Sequence, residues 1–266
     1  MPTPQEEFKE ILSKTEAYLK QEQELFGDTL YVERNQPGMN SSPPSPARPE
    51  TDLFGKPVAA PIKGVQESTV QYKYPNEPWV GAQTLADLNR MICTCTKCPL
   101  GYTRTNFVFG VGNPRAEIVI VGEAPGAEED AQGEPFVGRA GQLLNKILEA
   151  IRFKREEVYI CNILKCRPPN NRDPQPEEID ACEPHLWKQL EILKPKMILC
   201  LGRIAAHVLM KTNVSLGQLR GKVHEYHGIK LMVTYHPAAL LRNPNWKRPC
   251  WEDVQMFRKL YDEMKA

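Results

Sequence analysis

From Thr84 onward, short apolar runs alternate with amphipathic stretches. Residues 117–122 (EIVIVG), 158–162, 197–202 (MILCLG) and 230–235 are too short for helices and read as four strands. Helical periodicity fills the intervals at 140–151 (AGQLLNKILEAI), 177–193 and 203–210, and again at 251–265. Thr84 and Asp87 form a T-x-x-D capping box that opens a short helix ending near Ile92. Strands without a polar face belong in a parallel sheet covered on both sides. Ligands bind such sheets beyond the carboxyl ends of the strands. The unusual residues stand there: Gly122-Glu123, Asn162, Gly202 and His236-Pro237.

Upstream of Thr84 the pattern is thinner. Phe8, Leu12, Leu19 and Phe26 recur near helical spacing and predict one helix over 5–26. Residues 40–50 (NSSPPSPARPE) have the composition of a linker. The expected organisation is therefore an acidic, proline-rich, mostly disordered extension over 1–83 and a globular domain over 84–266. Loose docking on the domain is expected for Phe54, Tyr72, Tyr74 and Trp79. Charge supports the division: 1–83 carries 8 Lys+Arg against 12 Asp+Glu, whereas the whole chain of 266 residues is balanced at 34 against 33. The mildly basic remainder permits a nucleic-acid partner without demanding one. No apolar run approaches the roughly 18–20 residues that cross a bilayer, and residues 1–20 are charged throughout. Neither a membrane span nor a secretory signal is expected, so the eight cysteines are read as reduced or metal-bound.

Cys95 and Cys98 form C-x-x-C, and Cys166 and Cys182 flank a proline-rich loop leading into a helix. Two thiolates at C-x-x-C spacing point at one metal centre. The second pair lacks that spacing, which suits a zinc ribbon poorly. An iron–sulfur cluster, zinc and no metal all remain open on spacing alone. Cys93 is an alternative to Cys95 in the poorer C-x-C geometry, while Cys161 and Cys200 read as buried strand thiols.

The run from Cys95 to Pro244 resembles the family 4 uracil-DNA glycosylases, the iron–sulfur branch of the uracil-DNA glycosylase superfamily. The motifs are CTKCPL at 95–100, FGVGNPRAEIVIVGEAPGAEED at 109–130, GEPFVGRAGQLL at 133–144, NILKCRPPNNRDPQPEEIDAC at 162–182 and HPAALLRNP at 236–244. The resemblance implies a three-layer α/β/α fold around a four-stranded parallel sheet. It also implies one [4Fe–4S] cluster on Cys95, Cys98, Cys166 and Cys182, and hydrolysis of the uracil N-glycosidic bond in DNA. The expected partner is uracil-containing DNA, met by a cytoplasmic, nucleoid-associated monomer, with a repair or replication protein engaged through 1–83.

The same resemblance assigns the site. His236 donates a hydrogen bond to the uracil oxygen that gains charge, Asn162 reads the base edge, and Phe136 stacks on the flipped ring. Glu123 is the candidate to position or deprotonate water, with the backbone amides of Gly122 and Ala124 able to hold it. That motif position one residue on, an aspartate that activates water in family 1, is Ala124 here, so the alternative role for Glu123 is to orient a neighbouring group while those amides hold the water. Leu240 and Leu241 are expected as an exposed wedge filling the vacated stack. Arg242, with Arg167 and Arg172, is expected on phosphates. The run Glu128-Glu129-Asp130 reads as a solvated loop or helix start. No lysine stands among the expected site residues, so no strand cleavage is expected.

Overall fold

The computed structural model describes residues 76–265. The helix expected over 5–26, the linker at 40–50 and the aromatics Phe54, Tyr72 and Tyr74 lie outside the described residues. The described chain runs through α1 (Leu85–Ile92), β1 (Val111–Gly112), β2 (Ile118–Gly122), α2 (Ala127–Gln132), α3 (Arg139–Ala150) and β3 (Tyr159–Asn162). It continues through α4 (Pro176–Leu193), β4 (Met197–Leu201), α5 (Arg203–Met210), α6 (Leu216–Leu219), β5 (Val223–Tyr226) and β6 (Ile229–Thr234). It closes with α7 (Pro237–Arg242) and α8 (Lys247–Glu263). Trp79, upstream of α1, is buried in the core and meets the His185 ring edge-on at 4.9 Å, packing tighter than loose docking implies. Thr84 caps α1 as its sequence requires: its Oγ1 accepts the Asp87 N–H at 3.1 Å.

The sheet has six strands in the order β1-β3-β2-β4-β6-β5, two more than the four expected. The inner four, β3-β2-β4-β6, are parallel, and β1 and β5 add antiparallel edges. Every residue of β2, β3 and β4 is buried, which requires cover on both faces of the sheet. The edge strands escape pattern reading for a physical reason. β1 is two residues long, and β5 (VHEY) is polar and half-buried. The hairpin from β5 to β6 turns on His227 and Gly228, both at positive φ (48° and 78°), as a two-residue type I′ turn demands.

Topology places the ligand crevice. The chain leaves β2 toward β3 on one side and leaves β4 toward β6 on the other, so the switch point falls between β2 and β4. Register does the rest: Gly122 pairs directly with Asn162, and Leu201 with Thr234. Behind the end of β6, Thr234 donates its hydroxyl to the Asp253 carboxylate at 2.7 Å, and Arg220 Nε donates to the same oxygen at 2.9 Å. This cluster fixes α8 against the strand that delivers His236. Helix α8 begins four residues before the expected 251 because Pro249 lies in its first turn, where a missing N–H costs no helical bond.

Burial pushes the Asp253 carboxyl up to about 6, with Arg220 and Thr234 opposing. Arg220→Ala is therefore expected to lose about 3–5 kcal/mol of stability near pH 8, where the buried carboxylate is left without its cation. The loss shrinks toward pH 5, where the carboxyl is protonated. Lys259→Ala, at an exposed pair with Glu263, is expected to cost less than about 1 kcal/mol. Denaturant titrations at the two pH values measure both.

Candidate active site at the strand ends and the neighbouring cysteines

Because Gly122 and Asn162 are register partners, they stand side by side at the ends of β2 and β3. A Cβ on Gly122 would strike Asn162 Oδ1 and come within 2.6 Å of the Phe136 ring. Glycine is therefore what lets the amide and the aromatic ring both stand against the end of β2. Asn162 is only 2% exposed, and its Oδ1 has no hydrogen-bond partner. An unmet buried acceptor costs about 1–3 kcal/mol, and an N–H donor on a bound ligand removes that cost.

Phe136 reaches this position at φ +54°, an uncommon conformation for a bulky side chain. Two features hold it. Gly141 on α3 lies against the Phe136 carbonyl, where a Cβ would overlap it. The Glu129 carboxylate accepts the N–H groups of Gly126 (3.1 Å), Val137 (2.9 Å) and Gly138 (3.0 Å), tying the 122–126 loop to the segment carrying Phe136. Asp130 is buried and accepts the Thr105 N–H at 2.9 Å. The acidic run opens helix α2, as one of the two expected readings has it, but it is not solvated throughout: Glu128 faces solvent, while Glu129 and Asp130 bind backbone amides that local sequence does not foretell.

His236 caps α7. Its Nδ1 accepts the Ala238 N–H at 3.2 Å, so in the neutral ring the proton sits on Nε2. Burial, with Arg242 assisting, holds the imidazole down to about 4, which keeps it neutral at physiological pH. Its ring lies 5.4 Å from that of Phe136, tilted by 31°. Gly202, at φ +91°, sits against the histidine, where a Cβ would approach His236 Cβ to 3.0 Å. Glu123 is half-buried, and burial pushes its carboxyl up to about 7; Asp173 adds to the rise, while Arg203 and Arg242 oppose it. Arg203 and Asp173 pair at 3.0 Å. Gly122, Phe136, Asn162 and His236 form one contiguous group, and Glu123 adjoins it through the chain and through the shared field of Arg242.

One expectation is corrected here. Leu240 is 2% exposed and belongs to the core, whereas Leu241 is 41% exposed. The segment is helical, so adjacent side chains point in different directions and two leucines cannot both face out. Arg172 is committed to a two-pronged pair with the buried Glu178 (2.6 and 2.9 Å), and Arg167 Nε donates to Asn171 Oδ1 at 2.8 Å. Arg242 is exposed.

From Asn162 a strip of backbone leads to the cysteines. The N–H of Ile163 donates to Gly122 O (2.9 Å), that of Leu164 to Glu123 O (3.0 Å), and that of Lys165 to Cys182 Sγ (3.3 Å); Cys166 follows. Arg104 Nη1 reaches Cys166 Sγ at 3.2 Å and Cys95 O at 2.6 Å, and Nη2 reaches Cys93 O at 3.0 Å. The N–H of Gly101 donates to Cys98 O at 3.1 Å. Burial pushes the unliganded thiols up, Cys166 to about 11 and Cys182 to about 12. Cys95, Cys98 and Cys182 all lie near enough for their charges to reach one another or Cys166. Among the described residues, however, no three His, Cys, Asp or Glu side chains stand close enough to chelate a single ion. N–H donors on two of the four sulfurs, Cys166 and Cys182, fit thiolates, because a thiol accepts hydrogen bonds only weakly. Arg104 and Lys165 were not singled out from the sequence, since one arginine or lysine among 34 carries no local signal.

The profile described as the uracil DNA glycosylase superfamily matches residues 109–260. A type-4 uracil-DNA glycosylase of Archaeoglobus fulgidus is 47% identical over 186 residues, covering 67% of this chain and 94% of that protein. One of Thermotoga maritima is 48% identical over 165 residues, covering 60% of this chain and 86% of the relative. A type-5 uracil-DNA glycosylase of Pyrobaculum aerophilum is 30% identical over 146 residues, covering 48% and 64%. With the residue group at the strand ends, the unpaired asparagine and the cysteine quartet, these likenesses lead to one assignment: the chain belongs to the uracil DNA glycosylase superfamily, in its type-4 branch.

Proposed function

We propose that the protein releases uracil from DNA by hydrolysing its N-glycosidic bond, leaving an abasic site. The observation that carries this reading is the unpartnered, buried Oδ1 of Asn162, set beside an aromatic ring and a neutral imidazole. A base inside a duplex is out of reach, so the deoxyuridine must leave the stack. Asn162 Oδ1 accepts the uracil N3–H, and its amide N–H donates to O4. Cytosine offers an acceptor and a donor at those places instead, so it would leave the buried amide mispaired on both sides. Phe136 stacks on the ring.

As the N1–C1′ bond breaks, negative charge grows on the uracil carbonyls. His236 meets it with Nε2–H, a neutral donor that keeps its proton; a preorganised donor of this kind is worth about 3–4 kcal/mol. Water adds to C1′. Glu123 as carboxylate orients that water or takes its proton, and its charge favours the cationic sugar. Leu241 suits the role of filling the vacated stack, and Arg242 that of holding a flanking phosphate. No lysine lies among these groups, which suits a monofunctional enzyme. Of residues 1–83, Trp79 and Ala82 pack in the domain core; the part before them suits a separate extension that engages a repair or replication partner, and the domain a monomer acting in the cytoplasm.

Cys95, Cys98, Cys166 and Cys182 would hold one [4Fe–4S] cluster. A tetrahedral zinc ion, with Zn–S bonds of about 2.3 Å, draws its sulfurs into close contact. A cube takes one thiolate per iron and accepts a wider set such as this one. When bound, the cluster supplies a covalent tie between the 95–98 loop, the end of the 162–166 strip and α4.

An oligonucleotide carrying one deoxyuridine should break at that position only after alkali. An intact strand after alkali, or breakage without it, contradicts the proposal. Asn162→Asp should narrow or invert the preference for uracil over cytosine in the same assay. In the unliganded enzyme Glu123 is protonated below about pH 7 and cannot accept a proton. Accordingly, kcat/KM should rise through pH 7 and level off above it, with no further loss assignable to His236 until about pH 4. Glu123→Gln should flatten that limb and slow the reaction by roughly 10²–10⁴; an unchanged pH limb removes Glu123 from the chemistry.

A further inference from the structure

Lys165 is fully buried, at 0% exposure. Its ammonium donates to the backbone oxygen of Asn162 (2.8 Å) and to Gln189 Oε1 (2.5 Å). Gln189 is held in turn, donating to Phe109 O at 2.9 Å and to the Tyr159 hydroxyl at 3.2 Å. All of these acceptors are neutral. Among the described residues no carboxylate pairs with Lys165, and its ammonium is held by these two oxygens. An ammonium sealed in the interior without an anion is costly enough that folds pair it or discard it. The anions this fold offers are sulfurs. The backbone N–H of Lys165 donates to Cys182 Sγ at 3.3 Å, and Cys166 is the next residue.

We propose that Lys165 is the internal counter-ion of the four-cysteine cluster and a positioning residue for Asn162. This rests on the cluster reading above. Four thiolates on a cube carry net negative charge into a buried place; Lys165 offsets it from the inner side, and Arg104 from the outer. With its other end on the Asn162 carbonyl, the same ammonium fixes the strand end that presents the base-reading amide. The cluster thereby steadies base recognition through one side chain, with no part in the hydrolysis itself.

Charge and hydrogen bonding can be separated. Lys165→Gln keeps an N–H donor and removes the charge. Gln189→Glu keeps Lys165 and its contact, cancels its charge with a carboxylate, and gives up the N–H donated to Phe109 O; Gln189→Met, which gives up that N–H without adding charge, is its control and should release iron more slowly than Gln189→Glu. Full-length proteins purified anaerobically are challenged with an iron chelator, and iron release is followed by loss of visible absorbance, with exposed Lys146→Gln as control. Both test variants should release iron several-fold faster than wild type and the control. At equal iron content, both should also show a reduced preference for uracil over cytosine. Release at the wild-type rate in both variants overturns the counter-ion role, and unchanged base preference overturns the positioning role. If Lys165→Gln does not fold, Gln189→Glu decides alone. A wild-type protein without iron overturns the cluster reading itself, a result distinct from wild-type iron with unaffected variants.

Discussion

The architecture depends on a missing Cβ. At Gly122 the end of β2 comes so close to the Asn162 amide and the Phe136 ring that any side chain would occupy the space they share. The parallel register of β2 and β3 makes that approach automatic, since direct pairing sets the two Cα positions abreast. Everything else at the site serves to keep the small volume polar at one wall and aromatic at another. Glu129 and Gly141 hold Phe136 in a conformation it would not adopt alone. Gly202 leaves room for His236, whose Nδ1 is committed to a helix cap so that Nε2 must carry the proton.

Electrostatics divides the labour among the groups that titrate. Both His236 and Glu123 are driven by burial toward their neutral forms, but their ordinary values lie on opposite sides of the result. The imidazole ends far below physiological pH and becomes a permanent neutral donor. The carboxyl ends near 7, where it can still ionise and accept a proton. Arg242 touches both balances, helping to keep the histidine uncharged and the glutamate charged. A single exposed cation beside the pocket therefore favours the working protonation state of each.

Much of this was legible in the chain, and the failures have causes. The four inner strands and their helices follow from runs and periodicity, because a strand buried on both faces has nowhere to place a polar residue. β1 and β5 were not legible, being short or polar, and edge pairing is decided by neighbours that pattern does not reveal. Gly122, Phe136, Asn162 and His236 were found by motif, and their convergence is a matter of register. Leu240 was misread because a two-leucine motif does not disclose that it lies on a helix with one side inward. Arg104, Glu129 and Lys165 act through contacts up to 62 residues away in sequence, and no local signal marks such partners.

The account stands or falls on where the extruded base rests. The most direct test is a crystal structure of the protein with DNA bearing a 2′-fluorinated deoxyuridine, which resists hydrolysis. The account predicts uracil N3–H on Asn162 Oδ1, the ring lying on Phe136, and the O2 oxygen within hydrogen-bond reach of His236 Nε2. A uracil bound elsewhere, with Asn162 Oδ1 still unmet, would contradict it.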